Sequence, residues 1–356
     1  MKKILCIIDS LGPGGAERQI TYLATLLKKK NYQVELVYYI KRDFYLPFLV
    51  ENKVKYTYLS NRRSCVGRFI ALKKAINEIC PDTIITYAAF PSMVGCVLKL
   101  LGANFKLIVS ERNTTRELNL RERAKFFLYR WSDVIVPNSN TQGEFLKRYS
   151  HYLNDKIKVI TNYVDSIYFS LKNAPSSHNQ ISILCIGKIK PQKNVLRFID
   201  AIKIVKDSGY NIIINWYGHD LKDQYSQQCH SSIYEKQLSN VFFIHDASHN
   251  IIKEYHSADV FCLPSIYEGF PNVICEAMSC GLPIMCSNVC DNRYLVENGI
   301  NGILFNPMSA ESIARDIIKF IETMYGNRVK IGIENRNKIR KICSEDVFVR
   351  KYIEII

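Results

Sequence analysis

Short unbroken apolar runs alternate along this chain with longer stretches in which apolar positions recur every three or four residues. Ile4–Ile8 reads as a buried strand, and Ala16–Lys29 as a helix with Ile20, Leu23, Leu26 and Leu27 on its inner face. Val34–Tyr39 is the next strand, Arg68–Ile79 a helix through Phe69, Leu72, Ile76 and Ile79, and Thr83–Tyr87 a strand. Lys106–Val109, Val134–Val136 and Lys158–Ile160 complete the strands of the first half. Nearly continuous apolar strands separated by helices predict a parallel sheet covered on both faces. From Ser166 to Gln180 the chain turns polar, ending in Asn173-Ala-Pro-Ser-Ser-His-Asn-Gln180, which marks a linker. The pattern then restarts with strand Ile181–Ile186, helix Val195–Val205, strands Ile212–Tyr217 and Val241–Ile244, helix Ile251–Ser257 and strand Val260–Leu263. Two successive α/β units joined by one hinge predict two Rossmann-like domains facing a cleft. The expected division is an N-terminal domain over residues 1–165, a linker over 166–180 and a C-terminal domain over 181–343. A closing amphipathic helix is read over Asp346–Ile356.

The most informative stretch follows strand Val260–Leu263: Pro264-Ser-Ile-Tyr-Glu268-Gly-Phe-Pro-Asn-Val-Ile-Cys-Glu276-Ala-Met-Ser-Cys-Gly281. A loop carrying Glu268 leads into a helix expected to start at Pro271 and stop at Gly281, since proline suits a first helical position and glycine an αL terminator. Val273, Ile274, Cys275, Ala277 and Met278 leave that helix little solvent face, yet Glu276 lies in its middle. A buried carboxylate requires donors. Glu268 and the N–H groups of Gly269, Phe270, Asn272 and Val273 gather at the helix N-terminus, a natural seat for an anion. Hydroxyls beside phosphate is the chemistry of a nucleotide sugar.

The spacing of Glu268 and Glu276 resembles the paired-glutamate motif of retaining GT-B glycosyltransferases, in particular family four. The resemblance extends through Gly14-Gly15-Ala16-Glu17-Arg18, Asn162-Tyr163-Val164-Asp165 and Gly187-Lys188-Ile189-Lys190-Pro191-Gln192-Lys193. It implies that Glu276 accepts from the donor's ribose hydroxyls and that Glu268 contacts the transferred sugar. It also implies that Lys188 and Lys193 hold the donor diphosphate, with Gly187, Gly269, Phe270, Pro271, Asn272 and Val273 around it and Gly14 and Gly15 close by. The family has an arginine where Lys188 stands, and a lysine offers a point charge in place of a fork. The C-terminal helix, from about residue 344, is expected by resemblance to return to the first domain.

Lys188, Lys190 and Lys193 precede a helix, where cations oppose the macrodipole unless an anion lies among them. Gly12-Pro-Gly14-Gly15 is neither a Walker A loop nor a dinucleotide fingerprint, so a tight structural turn remains its alternative. Ser110-Glu111-Arg112-Asn113 is read as following strand Lys106–Val109, on the usual ligand side. Family members often carry a histidine there; here no histidine precedes His151. That leaves the role vacant or falling to Glu111, Arg112 or Asn113, with an N-capping cluster as the alternative.

Charge is distributed unevenly. Of the formal +15, residues 1–165 contribute 27 Lys and Arg against 14 Asp and Glu, a net of +13. Arg112, Arg116, Arg121, Arg123, Lys125 and Arg130, with Leu120, Phe126, Phe127, Leu128 and Trp131 between them, form a basic amphipathic segment supported by Arg62, Arg63, Arg68, Lys73 and Lys74. An anionic membrane surface fits such a segment, as does a lipid-diphosphate acceptor. Lys2-Lys3 followed by Ile4–Ile8 imitates an export signal, but Asp9 ends the apolar run before the ~7 residues such a core needs. Without an apolar stretch near the ~20 residues of a membrane span, the expectation is a cytoplasmic protein attached peripherally to the cell membrane. The twelve cysteines show no C-x-x-C pair, the densest group being Cys275, Cys280, Cys286 and Cys290, so reduced core thiols are expected and no metal or other cofactor.

The resulting expectation is a retaining transferase moving a hexose or N-acetylhexosamine from a UDP-sugar to a lipid-diphosphate-linked glycan of bacterial O-antigen or capsule. The rivals are a sugar-nucleotide epimerase, which would need acid/base residues not identifiable here, and a basic nucleic-acid-binding protein, for which no motif is present.

Overall fold

The computed structural model describes residues 1–59, 64–115, 117–171, 180–248 and 250–356. Two compact units divide it: Met1–Tyr163 together with Glu345–Ile356, and Val164–Ser344. The first unit contains strands β1 (Lys3–Ser10), β2 (Gln33–Ile40), β3 (Lys55–Tyr58), β4 (Thr83–Thr86), β5 (Lys106–Glu111) and β6 (Val134–Pro137). All pair in parallel, in the order β3-β2-β1-β4-β5-β6. The second contains β7 (Ile181–Ile186), β8 (Ile212–Tyr217), β9 (Phe242–His245), β10 (Val260–Leu263), β11 (Ile284–Ser287) and β12 (Gly302–Phe305), again all parallel, in the order β12-β11-β10-β7-β8-β9. Each sheet starts in its middle, grows to one side, then crosses over and grows to the other. The switch points are therefore β1/β4 and β7/β10, and ligands bind such folds at the carboxyl ends of the strands flanking the switch.

The central strands are apolar on both faces, so helices cover each sheet twice and each unit builds two cores. In the first, Ile4, Cys6 and Ile8 face a core shared with Leu23 and Leu27, while Leu5 and Ile7 face another containing Leu107, Phe126 and Tyr129. The second unit repeats this arrangement, with Ile183 and Cys185 on one side and Leu184 on the other. The helix Glu345–Ile353 sends Phe348, Val349 and Tyr352 into the first unit's core, and Tyr87 and Tyr352 share a hydroxyl–hydroxyl bond of 2.6 Å. All twelve cysteines are free thiols.

Several expectations need correction. Lys158–Ile160 is not a strand: Ile157 makes an isolated bridge to Ile135, and only Lys158 N and Ile160 N donate to β6 carbonyls, too few bonds for a ladder. The helix read from Arg68 starts at Cys65, because the Ser64 hydroxyl accepts from Gly67 N and caps it earlier. β5 continues to Glu111, so Ser110 and Glu111 belong to the strand. The polar run at 166–180 is only in part a linker. Phe169 is buried against Tyr255, Arg336 donates to the carbonyls of Ser166 and Phe169, and His256 lies 2.9 Å from the carbonyl of Ser170. Those bonds fix the first residues of the run to the second unit; 172–179 lie outside the described residues.

Candidate donor site at the switch point of the second sheet

The loops leaving β7 and β10, neighbours at the second switch point, are stitched together. Gln192 donates its side-chain amide to Tyr267 O at 2.8 Å, and its main-chain carbonyl accepts from Ile266 N at 2.9 Å. Asn194, at φ +63, bonds Pro264 O and Pro307 O through its side-chain amide, closing the 3-10 turn Pro191–Lys193 before helix Val195–Asp207. Lys193 then reaches Glu268, Nζ to Oε1, at 2.6 Å. Its stem passes over Gly187, where an added Cβ would stand 2.9 Å from the lysine Cε. A side chain at that position would force the lysine stem to shift.

Lys188 is exposed, whereas Lys190 and Lys193 are half-buried. Burial pushes the Lys190 ammonium below the ordinary lysine range, the neighbouring charges of Lys193 and Lys188 push it further, and Glu268 opposes them. Three ammonium groups therefore surround a turn in which one carboxylate is engaged with Lys193. This is an excess of positive charge suited to a polyanion.

Glu276 is 5% exposed on helix Asn272–Ser279, and its Oε2 accepts from the hydroxyl of fully buried Tyr255 at 3.0 Å. The helix begins one residue later than expected. Pro271 is its N-cap at φ −82 and ψ 79, and has no side chain able to cap. The stop is as expected, with Gly281 at φ +80. Of the N–H groups expected to face an anion, that of Asn272 is engaged by Phe270 O at 3.0 Å. Phe270 is itself a core side chain and Val273 packs against that core, so both have only backbone to offer a ligand.

In the first unit, Gly14 is the N-cap of helix Gly15–Lys29. The Glu17 carboxylate folds back over it, and a Cβ at Gly14 would stand 2.1 Å from Glu17 Oε2. Glu111 is buried on Lys125 at 2.9 Å and on the Tyr129 hydroxyl. Burial raises its pKa against the pull of Lys125. Both its oxygens are engaged inside the fold, which corrects the expectation that Glu111 faces a ligand. Lys125, paired with Glu111 and Glu122, is likewise withdrawn from the basic surface, and Arg112 lies over Tyr87 instead of in open solvent. Arg121, Arg123 and Arg130 remain exposed. Arg62, Arg63 and Arg116 lie outside the described residues.

Comparison with known proteins bears on this arrangement. Residues 13–166 match the family model described as Glycosyltransferase Family 4, and residues 169–339 the model described as Glycosyl transferases group 1. The chain is a family-four glycosyltransferase. Among its relatives is an undecaprenol-diphosphate-oligosaccharide α-1,4-N-acetyl-D-galactosaminyltransferase of Campylobacter jejuni, 28% identical, covering 78% of this chain and 77% of the relative. Another is a UDP-Gal:α-D-GlcNAc-diphosphoundecaprenol α-1,3-galactosyltransferase of Escherichia coli, 25% identical over 88% of this chain and 84% of the relative. The transferase superimposes on Anabaena HepE, solved with UDP and glucose, at a TM-score of 0.86 with 20% identity and 99% of both chains covered. That likeness shows the GT-B fold. The family match leaves the epimerase reading without support.

Sequence reasoning missed three positioning side chains of the transferase: Tyr255, Gln192 and Asn194. Gln192 and Asn194 sit in or beside a recognised motif, but their partners lie about seventy residues away. Tyr255 belongs to a helix whose spacing announces packing alone, and nothing local points to Glu276.

Proposed function

We propose that this glycosyltransferase moves a hexose or N-acetylhexosamine from a UDP-sugar to a lipid-diphosphate-linked glycan, with retention of configuration and without a metal ion, at the cytoplasmic face of an anionic membrane. The observation that carries the reading is the pairing of a lysine-rich turn with a buried, tyrosine-held Glu276 at the carboxyl ends of β7 and β10. In this reading Glu276 accepts from the ribose hydroxyls. Glu268 contacts the transferred sugar, and Lys188 and Lys193 take up the charge that develops on the departing diphosphate, the main electrostatic burden of the transition state. The Campylobacter and Escherichia relatives act on undecaprenol-diphosphate-linked glycans, as their names state, and HepE binds UDP. Both support a UDP donor and a lipid-linked acceptor here.

A thermal-shift panel of UDP-, GDP-, ADP- and TDP-sugars tests the donor. A ligand at a hundred times its dissociation constant adds ~2.7 kcal/mol of stability. UDP-sugars should give the largest shift, Glu276→Ala should abolish it, and a chelator should leave it unchanged. An undiminished shift in Glu276→Ala shows that Glu276 does not hold the ribose. The anomeric configuration of the product, read by NMR, tests retention.

A further inference from the structure

Arg112 leaves the end of β5 with its guanidinium over the Tyr87 ring, 4.4 Å from the centroid. Nη1 donates to Ser110 Oγ at 3.4 Å and Nη2 to Asn162 Oδ1, while Nε is buried without an acceptor. Every one of these partners is neutral. No carboxylate pairs with Arg112 among the described residues, and the positions outside that set include no Asp or Glu. Its neighbour Glu111 is engaged by Lys125 and Tyr129. The guanidinium is thus a half-buried cation held in place from below: Tyr87 is 2% exposed and bonded to Tyr352.

A half-buried cation without a counter-charge is less favourable than one whose charge a ligand balances. The planar guanidinium fork matches phosphate oxygens.

We propose that Arg112 is a phosphate-recognition residue of the first unit, taking a substrate diphosphate oxygen through its guanidinium fork. The proposal rests on the donor and acceptor reading above, and either diphosphate provides the same chemistry.

Calorimetric titration of the full chain with UDP and, separately, with farnesyl diphosphate tests it in wild type, Arg112→Gln and Arg112→Lys. A charged hydrogen bond corresponds to about a tenfold to hundredfold change in affinity. Arg112→Gln should weaken at least one probe by that factor with little change in melting temperature, and Arg112→Lys should fall between. Loss confined to UDP assigns the donor's diphosphate, and loss confined to farnesyl diphosphate assigns the acceptor's. Should Arg112→Gln not fold, Arg112→Lys decides, since it keeps the charge and loses the fork. Wild-type binding with unchanged affinity in the folded variants overturns this proposal alone. A wild type that binds neither probe overturns the donor reading as well.

Discussion

Lys193 and Glu268 meet at 2.6 Å with side chains only 13% and 11% exposed, so in the ligand-free protein the lysine is neutralised from within. In the proposed reading, an arriving diphosphate competes with Glu268 for Lys193, and the released carboxylate becomes available to sugar hydroxyls. Lys190 reports on the same charge balance. Its pKa lies below the ordinary 10.5, through burial first and then through Lys193 and Lys188. A lysine depressed in this way binds its proton more weakly in the folded state. The resulting penalty is full below the folded pKa and is relieved as pH rises through it. Added diphosphate favours the charged form, so binding takes up a proton in that window. Affinity for UDP should therefore fall with rising pH at values below 10.5, and the fall should be lost in Lys190→Met; titrations across the alkaline range check this. At this scale the glutamates and lysines were legible in the sequence, because a charge inside an apolar helix or before a helix N-terminus demands a partner. The partners themselves were not. Tyr255 meets Glu276 only through tertiary packing, and Glu111 was read as facing a ligand because nothing local reveals Lys125 and Tyr129 beneath it.

At the scale of elements, strands buried on both faces such as β1 and β10 were legible, because an apolar run there needs no alternation, but β11, equally buried, and β12 beside it were not read. β3 escaped because it is an edge strand with Lys55 and Tyr56 exposed, and its pairing with β2 is set by distant residues. The basic segment shows how an element sorts its own charges. In helix Leu120–Leu128, Lys125 turns inward to Glu111, while Leu120 at 84% and Phe127 at 49% are exposed. Arg130 lies 4.0 Å from the Phe127 ring and 5.1 Å from that of Tyr152. Exposed aromatics carrying arginines suit the interface of an anionic bilayer, and no helix among the described residues is long and apolar enough to cross one. Each basic side chain near such a surface contributes about 1 kcal/mol. Replacing Arg121, Arg123 and Arg130 together by Gln should thus weaken attachment to phosphatidylglycerol vesicles about a hundredfold, measured by co-sedimentation. Lys125→Gln should instead lower the melting temperature, since it strands Glu111 in the interior. Equal attachment of the triple variant and wild type would remove the membrane assignment.

At the scale of the molecule, each unit holds its own pair of cores, and the first unit completes one of them with the last residues of the chain. Phe348, Val349, Tyr352 and Ile356 are all at most 6% exposed and pack among β1, β2 and helix Gly15–Lys29 residues. Phe348 also stacks on Tyr163, 6.1 Å between centroids, and Gln19 brackets Tyr163 through both its carbonyl and its N–H. Tyr163 and the closing helix therefore share one core of the first unit. Burying each such side chain contributes about 1.5–3 kcal/mol, so the four together supply about 6–12 kcal/mol. That is comparable to the whole stability of a domain, about 5–15 kcal/mol. Deleting residues 345–356 should consequently unfold the first unit while leaving the second, whose cores contain none of those residues, near its original transition. Scanning calorimetry of the truncated chain should show one endotherm in place of the full chain's transitions. UDP should still raise its midpoint if the second unit alone holds the donor, whereas a shift lost together with the first unit's endotherm would mean that donor binding requires Arg112 and its surroundings.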